Sequence, residues 1–236
     1  PFFHTWELKG KFPNILTNEK YGEQANLLYN DAKKMLDNVI IKKKLTADAV
    51  FGIYPANSKN ESVTVEGHEF NFPRQLVDKG PNKINYSLAD FISVDQDWIG
   101  MFAVTAGKGI ESLVAEYEKE HDDYKIIMIK AIADRLAEAF TEKLHQMIRV
   151  DYWGYSLEKD IAINDLIKEK YDGIRPAPGY PACPDHSEKD KIWEILDVEN
   201  EVGIILTESR AMYPAASVSG WYFSHPKSVY FSVLNN

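Results

Sequence analysis

The stretch that most restricts how this chain can fold is Gly173 to Lys189, GIRPAPGYPACPDHSEK. Pro176, Pro178, Pro181 and Pro184 fall within nine residues of one another. Each proline removes a backbone donor and fixes φ at about −65°, so neither a helix nor a central strand can run through the segment. A stiff, irregular loop is required, with Arg175 at its mouth and Asp185-His186 at its exit. Regular structure must be built on either side of it.

The flanking sequence supplies that structure. Glu19 to Ile41 has the spacing of an amphipathic helix, carried by Ala25, Leu28, Ala32, Met35, Leu36 and Val39. Val50–Tyr54, Ser62–Glu66 and Glu69–Phe72 read as strands, the last two as a hairpin about Glu66-Gly67-His68. Leu88–Ser93 and Trp98–Thr105 are predicted as two more, the second almost wholly apolar and therefore central. Asp122 to Val150 is the strongest helical pattern, with an apolar stripe through Ile129, Ile132, Leu136, Phe140, Leu144 and Met147. Asp134, Glu138, Thr141 and His145 fall together on its opposite side. A further helix is expected near Ile163–Tyr171, ending at Gly173. Another, from a capping box at Ser187, should run to about Glu199. Val202–Leu206, Ser217–Ser224 and Val229–Val233 close the chain as strand candidates. Strands and helices do not alternate strictly, which predicts an α+β fold rather than a doubly wound sheet.

Composition narrows the function. The 236 residues carry a formal charge of −9, which disfavours a nucleic-acid partner, since phosphate binding rests on clustered Lys and Arg. The one cysteine excludes an internal disulfide and fits a reducing compartment such as the cytoplasm. No apolar run approaches the roughly 20 residues needed to cross a bilayer, so no membrane partner is expected. The opening PFFHTWELKG has no signal-peptide pattern and no initiating Met, as in a fragment of a longer protein.

Few side chains invite catalysis. Cys183 and His186 could be a nucleophile pair or part of a metal site. Zinc, however, needs about four ligands, and a buried structural thiol is the plainer reading. TAGKG (Thr105–Gly109) sits where a phosphate loop would, yet matches neither nucleotide fingerprint, so a strand-to-helix turn explains it better. Asp134 and Glu138, one turn apart, are either a solvated face or a site for an ammonium or sulfonium group. Among the C-terminal aromatics, Tyr230 and Phe231 point to opposite faces, which leaves one of them free to line a cleft. Together these features suit a zwitterionic, adenosine-like or amino-acid-like ligand.

The proline loop also closely resembles the signature of the activation domain of cobalamin-dependent methionine synthases. PFFHTWELKGKFP, LADFI, IGMFAVTAG, EHDDY, KAIADRLAEAF, YWGY and LTESRAMYPAASVSGWYFSHP are similar to that family too, in family order. The resemblance covers nearly the whole chain. It implies a single curved α+β domain, with a twisted antiparallel sheet flanked by helices, that is not of Rossmann type. It also implies S-adenosylmethionine as the ligand. The cobalamin would be held by another module of the enzyme, and flavodoxin or an equivalent reductase would be the electron donor. The implied function is to supply the methyl group that returns cob(II)alamin to methylcobalamin, with no activity expected of the isolated chain. The alternative is a module that senses S-adenosylmethionine without transfer.

Carried over by position, the resemblance assigns Arg175 to the ligand carboxylate, and the main chain around Ala177, Gly179 and Tyr180 to close approach. A preordered loop loses less entropy on binding. Tyr230 and Phe231 match a Tyr-Tyr pair, with one hydroxyl missing at Phe231. Glu138, with Asp134 a turn away, falls near the ligand's positive end. No residue is assigned as a catalytic acid, base or metal ligand. The family's acidic residue before the start and its helices beyond the end are not in this sequence.

Overall fold

A computed structural model describes residues 2–76, 83–158 and 161–234. The chain packs as two compact units. The first takes the chain up to Asp48, Thr105–Phe140 and Pro214–Ser217; the second takes Ala49–Val104, Thr141–Tyr213 and the chain from Val218.

The helices are α1 (Gly22–Ile41), α2 (Ile110–Lys119), α3 (Asp123–Met147), α4 (Ile163–Leu166), α5 (Glu188–Leu196) and α6 (Val198–Val202). The strands are β1 (Thr46–Lys59), β2 (Ser62–Val65), β3 (His68–Asn71), β4 (Asp97–Lys108), β5 (Ile205–Leu206), β6 (Met212–Tyr213) and β7 (Ser217–Tyr222). Five of these strands form a curled antiparallel sheet in the order β3-β2-β1-β4-β7, and β5 and β6 pair separately. The α+β expectation is met, and so is the absence of Rossmann topology.

In the first unit, Phe3, Leu8, Ile15, Ala25 and Leu28 pack with Met128 and Ile132 of α3. Val39, Leu113, Tyr117 and Ile129 form a second apolar cluster. The helical stripes read from sequence are thus the buried faces. The TAGKG segment is the end of β4 and a turn into α2. Gly109 there has φ +92, and a side chain at that point would run into the Lys44 carbonyl. That is a sufficient steric reason for the glycine, with no phosphate involved.

In the second unit, β2 and β3 pair from Ser62↔Asn71 to Val65↔His68, and Val63, Val65 and Phe70 alternate into the core. The part of β4 in this unit is buried without a break from Ile99 to Val104, as the apolar run predicted for a central strand. Trp221 lies edge-on to Phe70 and Phe72 at 5.7 and 5.0 Å between ring centres.

Several boundaries differ from expectation, each for a local reason. Leu88–Phe91 is a 3₁₀ turn rather than a strand. Ser87 Oγ accepts from the Ala89 N–H at 3.2 Å, while Asp90 accepts from the Ser87 N–H at 2.9 Å, a complete capping box. At α5 the box foreseen at Ser187 does not form; instead, Asp185 accepts the Ser187 N–H at 2.8 Å. Asp197, at φ 49, breaks the expected continuous helix into α5 and α6. The second of these absorbs Val202, the first residue of a predicted strand. α4 stops at Leu166, well short of Tyr171. Val229–Val233 is not a strand, although Val233 N–H donates to the Pro181 carbonyl at 2.8 Å.

Candidate functional site

The proline loop is tied to β7 and to itself by backbone bonds. Ile174 and Phe223 exchange both N–H donors at 3.0 Å, and the Trp221 N–H donates to the Pro176 carbonyl at 3.0 Å. Gly179 N–H donates to Cys183 O at 2.8 Å, and Cys183 N–H to Tyr180 O at 2.9 Å. The loop therefore holds its shape through fixed φ angles at the prolines and paired polar groups between them.

Gly179 has φ +87, and a β-carbon on it would overlap the His186 imidazole. The tight packing that this glycine permits is thus with His186 inside the loop. Ala177 is half-buried beside it, and Tyr180 is exposed. Cys183 is fully buried, and burial pushes its thiol up to about 12, helped by Glu188 and Asp185. Such a thiol is an inert part of the core, as its plainer reading held. Among the described residues no group of His, Cys, Asp and Glu could hold a metal ion.

Arg175 is the centre of a dense polar cluster. Its side chain is only 17% exposed. Nη2 pairs with Glu142 Oε2 at 2.8 Å, and Nη1 donates to the Tyr171 hydroxyl at 2.6 Å. Nη1 also lies 3.2 Å from His145 Nδ1. The backbone N–H of Arg175 donates to the Tyr230 hydroxyl at 3.0 Å, so the structure brings together two residues 55 apart that the sequence reading had singled out. Desolvation alone would lower the Arg175 pKa, but Tyr171, Glu142 and Tyr230 more than offset it. The guanidinium is permanently charged. Burial of the Tyr230 hydroxyl pushes its phenol up to about 12, although the Arg175 N–H and charge oppose this. Phe231 is half-buried against Tyr86 and Phe91, at 5.7 and 6.4 Å between ring centres.

The sequence reading did not anticipate the residues that surround Arg175. The helical pattern puts His145 and Thr141 opposite the apolar stripe of α3, yet both are fully buried. His145 stacks on Tyr222 at 5.0 Å and 19° between planes, and its Nε2 is 3.2 Å from the Tyr155 hydroxyl. Burial first, then the charges of Arg149 and Arg175, hold its pKa well below the usual histidine range. Arg149 is fully buried in the π-helical turn Ile148–Tyr152 that ends α3. Its guanidinium lies over the Tyr171 ring at 3.8 Å, and its three nitrogens have no hydrogen-bond partner among the described residues. A sequence signal did exist. Glu142, His145 and Arg149 recur at helical spacing on one side of α3, which a polar stripe turned inward would require.

Asp134 and Glu138, by contrast, are exposed on α3. Desolvation lifts the Asp134 carboxyl somewhat, against the pull of Arg135. Both lie in the stretch of α3 that belongs to the first unit, whereas Arg175 and its partners lie in the second. A mainly apolar hollow of about 220 Å³ in the first unit is lined by Phe2, Tyr29, Leu36 and Ile132 together with Lys33 and Arg135.

The Arg175 cluster can do one thing well: present a fixed, charged donor array to an anion. It contains no general base poised against a nucleophile. No helix among the described residues is long and apolar enough to cross a membrane.

The family model for the activation domain of vitamin B12-dependent methionine synthase matches residues 1–235. Among solved structures, the MetH reactivation domain bound to AdoHcy is 48% identical, with a TM-score of 0.94. That alignment covers 99% of this chain and 75% of the other. The loop, the curled sheet and the match over essentially the full length agree, and the chain belongs to the vitamin B12-dependent methionine synthase activation domain family.

Proposed function

We propose that this chain binds S-adenosylmethionine and presents its sulfonium methyl for the reductive reactivation of cobalamin, as one module of a longer methionine synthase. The observation that carries the reading is the Arg175 cluster beside a proline-stiffened loop. A guanidinium fork suits a planar carboxylate, and preordering limits the entropy lost on binding. The AdoHcy bound by the similar reactivation domain, which is the product left after methyl donation, supports the same ligand class.

In this reading Arg175 takes the ligand carboxylate. The main chain at Ala177, Gly179 and Tyr180 lies along the ligand, and Tyr230 and Phe231 close one side of it. A sulfonium methyl is already electrophilic. The protein's task is therefore alignment, a proximity effect that needs no acid or base. A corrin held by another module, and kept reduced by flavodoxin or an equivalent donor in the cytoplasm, would supply the nucleophile for that methyl group. This chain's residues bind, orient and shield the donor.

The test is to titrate the chain with S-adenosylmethionine and then add a cobalamin-bearing module and a reductant. Reversible binding alone, followed by methyl transfer once both are present, is the expected result. Binding without transfer under those conditions would make the chain a sensor. Methylation of a small acceptor without cobalamin would overturn the reading.

A further inference from the structure

Arg175 has five N–H donors on its guanidinium, and the structure occupies three of them. Nη1 spends both of its protons, on the Tyr171 hydroxyl at 2.6 Å and on His145 Nδ1 at 3.2 Å. Nη2 gives one to Glu142 Oε2 at 2.8 Å. Among the described residues no partner takes Nε–H or the second Nη2–H, on the two nitrogens that share the lateral edge of the fork. Two parallel donors on one edge are what a bidentate carboxylate needs.

The partners of Arg175 are themselves fixed. The Tyr171 hydroxyl donates to Glu142 Oε2 at 3.4 Å, so one carboxylate oxygen ties the tyrosine and the arginine together. The Arg149 guanidinium covers the Tyr171 ring, and the His145 ring meets it edge-on at 5.3 Å. Since Arg175 can only donate, His145 Nδ1 must offer a lone pair. Its proton then resides on Nε2, which donates to the Tyr155 hydroxyl at 3.2 Å. Burial and the nearby charges of Arg149 and Arg175 keep the ring neutral, as this arrangement requires.

We propose that Glu142, His145 and Tyr171 are positioning residues, which turn Arg175 so that its Nε–Nη2 edge faces the ligand carboxylate. The inference rests on the proposed function, because it assumes that the anion received by Arg175 is the carboxylate of S-adenosylmethionine. It adds a specificity device: the cradle makes binding depend on the ligand's carboxylate and leaves the rest of the ligand untouched.

The experiment compares two ligands by calorimetric titration, S-adenosylmethionine and its decarboxylated form, which keeps the sulfonium and amine but lacks the anion. Tyr171→Phe and His145→Ala should each weaken S-adenosylmethionine about 3- to 10-fold, the scale of one lost hydrogen bond. Binding of the decarboxylated ligand should stay within about twofold of the parent. His145→Asn, whose side-chain oxygen stands near the place of Nδ1, should recover most of the loss. Nitrogen-15 spectra should show His145 protonated on Nε2. Equal losses for both ligands, no loss for either, or a proton on Nδ1 would overturn the cradle. Arg175→Ala separates this failure from that of the underlying reading. If it weakens only the carboxylate-bearing ligand while the cradle variants do not, the cradle alone falls. If it leaves both affinities intact, the proposed ligand site falls and takes the cradle with it.

Discussion

Two regions rich in charge behave in opposite ways. Around Arg175, cation, carboxylate, imidazole and the Tyr171 phenol are buried or half-buried and bonded to one another. On α3, Asp134 and Glu138 are exposed to water. A buried array has already met its reorganisation cost during folding, so it acts on a ligand through a fixed direction. An exposed pair is screened and free to rotate, so it contributes weak, non-directional attraction. On the proposed function, the same residue types carry specificity only where packing sets their geometry.

The strongest challenge to this contrast is Arg175→Ala. The loss of a charged hydrogen-bond partner, about 1.5–3 kcal/mol, should weaken S-adenosylmethionine binding roughly 10- to 100-fold. The free protein should be destabilised as well, because Glu142 would be left with a buried oxygen and without its Arg175 counter-charge. We expect a melting temperature lower by several degrees, about 2–4 °C per kcal/mol for a chain of this size. An unchanged melting temperature would mean that the cluster is not tightly held.

Gly179→Ala comes next. The left-handed backbone and the overlap with His186 should together cost about 2 kcal/mol of stability. The double change with His186→Ala should recover the steric part and leave the strain, about 1 kcal/mol. If Gly179→Ala is harmless, the loop is softer than described and the contrast with the exposed pair weakens.

A smaller effect concerns acid. His145 faces Arg149, Arg175, Tyr155, Tyr171 and Tyr222, and its folded pKa is depressed. The unfolded chain therefore binds a proton that the folded one refuses. The stability contribution is complete above the unfolded value of 6.5 and is lost as pH falls below it. Chemical denaturation of the parent should lose up to about 1.4 kcal/mol per pH unit more than His145→Asn below that point. Parallel profiles would show that the imidazole is solvated.

The smallest effect is expected for Glu138→Gln, within about 0.5 kcal/mol in stability, as for an exposed helical site. A clear loss of S-adenosylmethionine affinity in this variant would show that the acidic pair acts on the ligand's positive pole. That would break the division between directing and merely attracting charge.

What was legible in the sequence follows the same division. Periodicity and proline placement are local, so α1, α3, the β2–β3 hairpin and the stiff loop could be read directly. Arg175 and Tyr230 came from the family resemblance, and the structure supplies the bond between them. The surroundings of Arg175 left only an ambiguous signal, because the helical spacing of Glu142, His145 and Arg149 fits a solvent-facing stripe equally well until the opposing wall of Tyr171 and Tyr222 is known. The Leu88–Phe91 turn was misjudged for a related reason. Its apolar residues suit a strand, but Ser87 and Asp90 cap one another within a few residues.

The pairing of the proline loop with β7 has a consequence for solubility. β7 is the outermost strand of the five-stranded sheet on its side, and an open strand edge invites the edge of another molecule. Ile174 and Pro176 cover that edge with three backbone bonds. The covering segment cannot act as a new template in turn, because Pro176 and Pro178 have no N–H to offer. The loop that stiffens the site thus also closes the β7 end of the sheet, and protects that edge against pairing with another molecule.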